Sequence, residues 1–291
     1  MRIGGPLFEN VMKPVDLVQA HRKYGYSAVY LPLVEDRSLQ RDMVAALQDA
    51  DIVISETGAY CINILDTDES LRQKNIQEIC RRLAMADEYG VLCCVMHGGT
   101  VEMGGWGKIN PQNLSAEAFE KTVTTIQQII DSVAPKRTKL VLEASSWLLP
   151  ESPQSYLRII NAVNRKQFGV HLDPVNILDS PRACYFNAEV LREYFRLLGP
   201  YIVSCHSKDV LLSSVYLPIE ITETFTGNGL LDYDTYLTEL SKLPQEAPLM
   251  LEHLEAHQVE PAMSFLLATA RRLGITVKSA ENFSNSIGKN I

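Results

Sequence analysis

What this sequence lacks excludes several classes of protein. Its 291 residues contain no run approaching the roughly 18 apolar residues that span a membrane. The first residues, MRIGGPLF, have neither the charged start nor the apolar stretch of a secretory signal. Lys and Arg number 27 against 35 Asp and Glu, so the net charge of -8 offers no excess of cations for the phosphates of nucleic acid. We therefore expect a soluble cytoplasmic protein that binds neither membranes nor nucleic acid.

Cysteine pairs and interdomain linkers are missing as well. The six cysteines form no C-x-x-C pair and no spacing typical of a small disulfide-bonded domain, so we expect reduced thiols. No stretch rich in Pro, Gly or Ser divides the chain. The prediction is one domain over residues 1–277, followed by an arm or tail over 278–291 that has no clear periodicity. Homo-oligomerisation is left open.

The chain does contain eight short apolar runs, rich in Val, Ile and Leu, which alternate with longer amphipathic stretches. This alternation is typical of βα units around a parallel sheet, and the length suits a single (β/α)8 TIM barrel. The predicted strands are Arg2 to Leu7, Ala28 to Pro32, Ile52 to Ala59, Leu92 to His97, Leu140 to Ala144, Gly169 to Asp173, Ile202 to Ser207 and Leu249 to His253. The predicted helices are Pro14 to Tyr24, Leu39 to Asp49, Glu69 to Tyr89, Ala116 to Val133, Gln154 to Val163, Ala188 to Leu198, Tyr233 to Leu240 and Glu260 to Leu273.

The last four predicted strands carry ionisable residues of one parity near their carboxyl ends, namely Glu143, Asp173, His206 and Glu252. Alternate residues of a barrel strand face the interior, and barrel active sites are built at this end of the strands. An inward charge is costly unless it is paired or bound to metal, and three carboxylates and an imidazole do not neutralise one another. One divalent cation bound between them would compensate their negative charge. Three oxygen ligands and one nitrogen suit Mn²⁺, Mg²⁺, Co²⁺ or Zn²⁺.

These residues lie in short motifs, which occur in a specific order and spacing. LVLEAS contains Glu143, HLDPVN contains Asp173, CHSKD contains His206 and MLEHLE contains Glu252. The stretch TGNGLLDY at residues 226–233 adds a Gly-x-Gly-x-x-Asp-aromatic pattern. Over almost its whole length the chain resembles the xylose isomerase-like barrels, which include sugar 3-epimerases, inosose isomerases and related sugar isomerases.

The resemblance implies that Glu143, Asp173, His206 and Glu252 hold one metal ion, and that Glu143 and Glu252 also act as the acid/base pair. A chelated hydroxyketone forms a metal-stabilised enediolate, so a carboxylate needs only to move a proton. Bases on opposite faces allow epimerisation, whereas one base serving two neighbouring carbons gives aldose–ketose isomerisation. The expected function is a metal-dependent isomerase or epimerase of a small sugar or sugar-like polyol ketone.

Five further residues are predicted to touch substrate. His97 ends a strand before two glycines, and Lys208 shares the parity of His206, although a solvated loop lysine is its alternative. Trp106 and Trp147 lie in loops from which their rings could stack on a sugar, with plain loop packing as the alternative. Asn176 stands where sugar 3-epimerases have a substrate-contacting His. Because an epimerase Arg is also replaced, by Leu212, the identity of the sugar stays open.

Three other functions are compatible with parts of this pattern. A lyase or dehydratase acting on a keto sugar, a 3-keto glycoside or an inosose would use the same metal site and the same enolate chemistry. An apurinic endonuclease of the same superfamily needs three zinc ions and more ligands, and the chain has Asn176 and the triplet at residues 232–234 where such ligands are expected. A noncatalytic binding barrel would have a broken ligand set, whereas this set is complete.

Overall fold

A computed structural model of the chain describes residues 1–213 and 219–278. Eight parallel strands form a closed barrel, and helices connect them. The barrel strands are β1 (Ile3–Gly4), β2 (Ala28–Tyr30), β3 (Val53–Ala59), β4 (Cys93–His97), β5 (Lys139–Glu143), β6 (Phe168–Leu172), β7 (Ile202–Ser207) and β10 (Leu249–Leu251). They are hydrogen-bonded in the order β1-β10-β7-β6-β5-β4-β3-β2. The predicted (β/α)8 fold is confirmed.

The helices begin and end close to the predicted residues. They are α1 (Pro14–Lys23), α2 (Arg37–Asp49), α3 (Glu69–Tyr89), α4 (Ala116–Val133), α5 (Pro153–Val163), α6 (Pro181–Tyr185), α7 (Asn187–Leu198), α8 (Tyr233–Ser241) and α9 (Val259–Arg272). Helix α2 begins two residues before its predicted start because the Asp36 side chain accepts hydrogen bonds from the amides of Ser38 and Leu39. Helix α3 ends where Gly90 adopts φ 68°, a left-handed cap that glycine tolerates.

A short helix and an antiparallel hairpin have no counterpart in the prediction. Helix α6 is a single short turn, and β8 (Asp209–Ser213) pairs with β9 (Glu220–Thr224) as an antiparallel hairpin outside the barrel. Strand β8 begins directly after Lys208, the residue that follows β7, so the connection after the seventh barrel strand contains two strands of its own. The hairpin therefore adjoins the predicted His206 and Lys208 motif in sequence.

Strands β1 and β10 are shorter than predicted. A Cβ on Gly4 would lie 2.1 Å from the carbonyl oxygen of Ala28 and 2.8 Å from the sulfur of Met250, so the backbones approach closely only because residue 4 is glycine. Strand β10 stops at Leu251, and His253 has φ 50°, which an extended strand does not accommodate. The predicted end of this strand at His253 is therefore wrong by two residues.

The strand register places the polar residues of the middle strands at one level. His97 of β4 pairs with Glu143 of β5, and Glu143 pairs with His171 of β6. On β7, His206 is level with Met250 of β10. Because partners in register share a face of the sheet, His97, Glu143 and His171 point to the same side.

The chain divides into two compact units. One consists of Met1–Ser55, Leu178–Arg192 and Ser204–Ile291, and it contains β1, β2, β10, the hairpin and most of β7. The other consists of Glu56–Ile177 and Glu193–Val203, and it contains β4, β5, β6 and most of β3. The single barrel domain over residues 1–277 stays a prediction, and residues 279–291 of the predicted arm lie outside the described residues. No helix in the described part of the chain is long and apolar enough to cross a membrane.

Candidate active site

Four ligand atoms, one each from Glu143, Asp173, His206 and Glu252, lie within 4.8 Å of one another. The first three residues are buried, and the side chain of Glu252 is 17% exposed. Metal–ligand bonds of about 2.0 to 2.2 Å separate opposite ligands by up to about 4.4 Å, so small side-chain movements bring all four atoms around one ion. The donor set fits a divalent cation, and the role of these residues as ligands stays a prediction.

Glu143 accepts two hydrogen bonds at the end of β5. The Asn176 side-chain amide donates to Oε1 at 2.7 Å, and His97 Nε2 lies 3.2 Å from Oε2. The backbone amide of Cys61 points at His97 Nδ1 from 3.4 Å, and an amide can only donate. The proton of a neutral His97 therefore sits on Nε2 and is directed at Glu143. Two of the predicted substrate contacts, His97 and Asn176, thus orient the carboxylate.

Aromatic rings continue from His97. The Trp106 ring lies 4.7 Å from the His97 ring and 5.6 Å from the Trp147 ring, and the Tyr60 ring lies 5.4 Å from His97. The Trp106 indole N–H donates to the carbonyl of Gly98 at 2.9 Å, which sets the orientation of the ring. The structure therefore brings both predicted tryptophans together beside His97, and it adds Tyr60, which no sequence pattern had singled out.

The two glycines after His97 are required by packing. A Cβ on Gly98 would lie 2.0 Å from the carbonyl oxygen of Leu149, and a Cβ on Gly99 would lie 2.4 Å from Cγ of Leu65. Neighbouring loops thus approach the backbone directly after β4. This close packing holds the segment that carries the aromatic residues.

Lys208 is buried, with 2% of its side chain exposed, and its Nζ lies 2.8 Å from Oε2 of Glu252. His206 Nδ1 lies 3.2 Å from the same carboxylate oxygen. A lysine in this position is a structural neighbour of the predicted ligands, so the alternative of a solvated loop lysine is wrong. The predicted contact of Lys208 with substrate is not tested by the geometry and stays a prediction.

Helix α8 holds the backbone at the end of β7. The Tyr236 hydroxyl donates to the carbonyl of His206 at 2.8 Å, and the Tyr233 hydroxyl donates to the carbonyl of Lys208 at 2.7 Å. Both tyrosines are buried. The helix is anchored in turn by Asp232, which caps it by accepting from the Thr235 amide at 2.9 Å.

The Gly-x-Gly-x-x-Asp-aromatic pattern wraps around buried Asp209. The Asp209 carboxylate accepts from the amides of Val210, Gly227 and Leu231 at 2.8, 3.1 and 2.8 Å. Burial raises the pKa of Asp209 and outweighs these backbone donors. A Cβ on Gly229 would lie 2.4 Å from the same carboxylate. This motif therefore supports the strand end that carries His206.

A second buried pair of ionisable residues, Glu56 and His171, lies nearer the start of the strands than the predicted ligands do. Glu56, in the middle of β3 and fully buried, places Oε2 3.4 Å from His171 Nδ1. Neither residue is among those that the sequence predicts for the site. The signal of Glu56 in the sequence is a charged residue inside the apolar run VISETGA. Among the described residues, Glu56, His171 and His206 form a second group able to hold a metal, which shares His206 with the first.

The six cysteines all lie within the described residues and are reduced thiols, as expected from their spacing, and four of them are buried. The thiol of Cys61 is exposed, and its pKa is raised by partial burial and by the nearby charge of Glu143.

Comparison with known families gives one match over most of the chain. The family model described as xylose isomerase-like TIM barrel matches residues 18–269. No curated protein sequence matches the chain.

Solved structures share the fold at low sequence identity. The 3-keto-D-glucoside 4-epimerase of E. coli superposes with a TM-score of 0.64 at 17% identity, covering 94% of this chain and 99% of its own. The probable 3-DHS dehydratase AsbF of Bacillus anthracis gives 0.67 at 17% identity, covering 89% and 95%. Endonuclease IV of Thermus thermophilus gives 0.70 at 13% identity, covering 94% and 100%. An epimerase, a dehydratase and a nuclease thus match about equally well, so the reaction has to be argued from the side chains.

Proposed function

We propose, from the premise that this chain belongs to the xylose isomerase-like TIM barrel family, that it is a divalent-metal-dependent isomerase or epimerase of a small sugar or sugar-like polyol ketone. The grouping of Glu143, Asp173, His206 and Glu252 within 4.8 Å carries the proposal. Three carboxylates and one imidazole provide the oxygen-rich donor set that Mn²⁺ and Mg²⁺ favour and that Co²⁺ and Zn²⁺ also accept. A cation bound there supplies Lewis-acid polarisation of a substrate carbonyl, which acidifies the neighbouring C–H group.

Glu143 and Glu252 are proposed as the groups that move protons. Glu143 accepts hydrogen bonds from Asn176 and His97, and Glu252 lies beside the ammonium of Lys208, so each carboxylate has neighbours that orient it as a proton acceptor. Two such carboxylates allow removal of a proton on one face of a carbon and its return on the other. Asn176 and His97 orient Glu143, which keeps its oxygens in a fixed direction.

The aromatic residues beside Glu143 are proposed to receive the substrate. Trp106 and Trp147 lie edge to face at 5.6 Å, and both are partly accessible. Sugars present C–H groups on one face of the ring, which pack on aromatic faces, while their hydroxyls require polar partners. Lys208 is the proposed polar partner for a substrate oxygen or carboxylate.

A lyase is the second candidate, and Lys208 favours it. The ammonium of Lys208, 2.8 Å from Glu252, is the proposed donor of the proton with which a departing hydroxyl leaves as water, a step that β-elimination requires in addition to a base. Dehydration and epimerisation both begin with proton abstraction beside a carbonyl. The two reactions therefore separate only at the second step.

The nuclease alternative has little support from the side chains. Asn176, which stands where a zinc-binding histidine is expected for that function, donates its amide N–H to Glu143. The two groups able to hold a metal in residues 1–213 and 219–278 share His206, so they do not supply separate ligands for several ions.

The test combines metal analysis with isotope exchange. Protein purified without chelator is analysed for metal, titrated with Mn²⁺, and incubated with ketoses, inososes and 3-keto glycosides in deuterated water. We expect about one metal ion per chain and metal-dependent deuterium uptake at the carbon next to the carbonyl. Loss of water or of an aglycone would assign the lyase, and cleavage of DNA containing abasic sites would assign the nuclease. Absence of Mn²⁺ binding would overturn the proposed function.

A further inference from the structure

The hairpin outside the barrel contributes a carboxylate to the surroundings of Glu252. Glu223 on β9 places Oε2 3.4 Å from Lys208 Nζ and Oε1 2.9 Å from His253 Nδ1. Its side chain is 33% exposed, whereas that of Lys208 is 2% exposed. Burial opposes ionisation of Glu223, but the hydrogen bond from His253 and the charge of Lys208 outweigh it and lower its pKa. Glu223 therefore carries a negative charge at neutral pH.

One ammonium group is thus shared by two carboxylates. Lys208 Nζ lies 2.8 Å from Glu252 and 3.4 Å from Glu223, and its stem is buried, so it cannot swing into water. A buried cation has to be compensated by nearby anions. When Glu252 gives electron density to a metal ion, its attraction for Lys208 weakens. Glu223 is an anion that continues to hold the ammonium.

We propose that Glu223 is a positioning residue that acts through Lys208 and keeps the Glu252 carboxylate available for the metal ion. The inference rests on the proposed function in one respect, namely that Glu252 is a metal ligand. Lys208 and the cation compete for the same carboxylate, and Glu223 reduces the share that Lys208 takes. Glu223, on a hairpin outside the barrel, thereby influences how strongly Glu252 binds the metal ion.

Removing the negative charge of Glu223 is expected to weaken Mn²⁺ binding. In Glu223→Gln the side chain keeps its size, but Lys208 loses a counter-charge and pairs more strongly with Glu252. We expect the Kd for Mn²⁺ to rise by at least about fivefold, the size of a coupling between charged neighbours. Glu220→Gln is the matched control, because Glu220 is exposed on the same strand three residues earlier. We expect its Kd to change by less than about twofold.

A double-mutant cycle separates action through Lys208 from the mere loss of a nearby negative charge. Lys208→Met removes the competing ammonium while keeping an unbranched side chain. In that background Glu223→Gln should change the Mn²⁺ affinity by less than about twofold. An equal effect of Glu223→Gln in both backgrounds would show general electrostatics and overturn the proposal.

The measurement is Mn²⁺ binding to the full chain, by calorimetry and by electron paramagnetic resonance, with circular dichroism to verify folding. If Lys208→Met does not fold, Lys208→Gln, which also removes the charge and keeps a polar end, takes its place in the cycle. Unchanged affinity in Glu223→Gln, with normal binding by the wild type, overturns this inference alone. A wild type that binds no Mn²⁺ overturns the proposed function and the inference with it.

Discussion

Glu143 and Glu252 have the same side chain but different neighbours. Glu143 is held by the side chains of Asn176 and His97, whereas Glu252 lies beside a buried ammonium. The hydrogen bonds orient Glu143, and the ammonium adds an attraction between opposite charges at Glu252. The two carboxylates are therefore prepared differently, which suits a proton transfer in which one accepts and the other returns the proton.

Replacing either carboxylate by its amide should abolish turnover. Glu143→Gln and Glu252→Gln each remove a base and weaken a metal ligand, so we expect kcat to fall by at least about 10³-fold. The assay uses the substrate identified by deuterium exchange, at saturating Mn²⁺, with Glu220→Gln as the control. Activity within about tenfold of wild type in either variant would contradict the two-carboxylate mechanism.

A buried histidine away from the site contributes to the dependence of stability on pH. Burial lowers the pKa of His21 to about 4, with Glu9 acting weakly in the opposite direction. The unfolded chain takes up this proton near pH 6.5, whereas the folded chain does so only near pH 4. Stability contributed by neutral His21 is thus present above pH 6.5 and is lost as the pH falls toward 4.

Urea unfolding at pH 7 and pH 5 tests this linkage. We expect the wild type to lose about 2 kcal/mol more unfolding free energy than His21→Leu between these two values. Leucine keeps the site filled but does not titrate. Equal losses in the two proteins would assign the acid sensitivity to other groups.

At the scale of elements, helix α8 is a support for the strand beside it. Two of its tyrosines hydrogen-bond to the backbone carbonyls of His206 and Lys208, so the direction of the β7 end depends on a helix that follows it by more than 20 residues. The short hairpin and the glycine motif fill the chain between them. These elements explain why a glycine-rich pattern accompanies the site, since its tyrosine holds the backbone of Lys208.

Tyr236→Phe isolates this support. The substitution keeps the ring and leaves the buried His206 carbonyl without its hydroxyl donor, which costs about 1 to 3 kcal/mol of unfolding free energy. We also expect weaker Mn²⁺ binding because the imidazole is less firmly placed. Tyr185→Phe, in which the replaced tyrosine is 68% exposed, is the control. No change in stability would show that the hydroxyl is not needed to hold the strand.

At the scale of the whole molecule, metal binding should stabilise the fold. The four proposed ligands lie near the end of a strand or directly after one, and these strands are brought together only in the closed barrel, so the unfolded chain has no such site. At about 100 times its Kd, Mn²⁺ should add about 2.7 kcal/mol and raise Tm by about 5 °C. Calorimetry with and without Mn²⁺ measures this, and excess chelator should reverse it. A similar rise in Glu252→Gln would place the stabilising ion elsewhere.

Much of this architecture follows from local patterns. The alternation of apolar runs with amphipathic stretches predicts the eight barrel strands and their connecting helices, because each pattern is set by neighbours a few residues apart. Period-two alternation also selects Glu143, Asp173, His206 and Glu252, since it needs only the direction of each strand. Boundaries were predicted less well where a cap or a backbone turn decides them, as at Asp36 and His253.

The partners of these residues were decided by the tertiary structure alone. Glu223 reaches Lys208 through a hairpin that no sequence pattern predicted, and Glu56 reaches His171 from a strand more than a hundred residues earlier. The packing of Trp106 on His97 depends on a loop held by close backbone contacts. The sequence by itself determined which residues stand at the strand ends. Only folding decided what holds them, because contacts between distant segments leave no periodic signal in the chain.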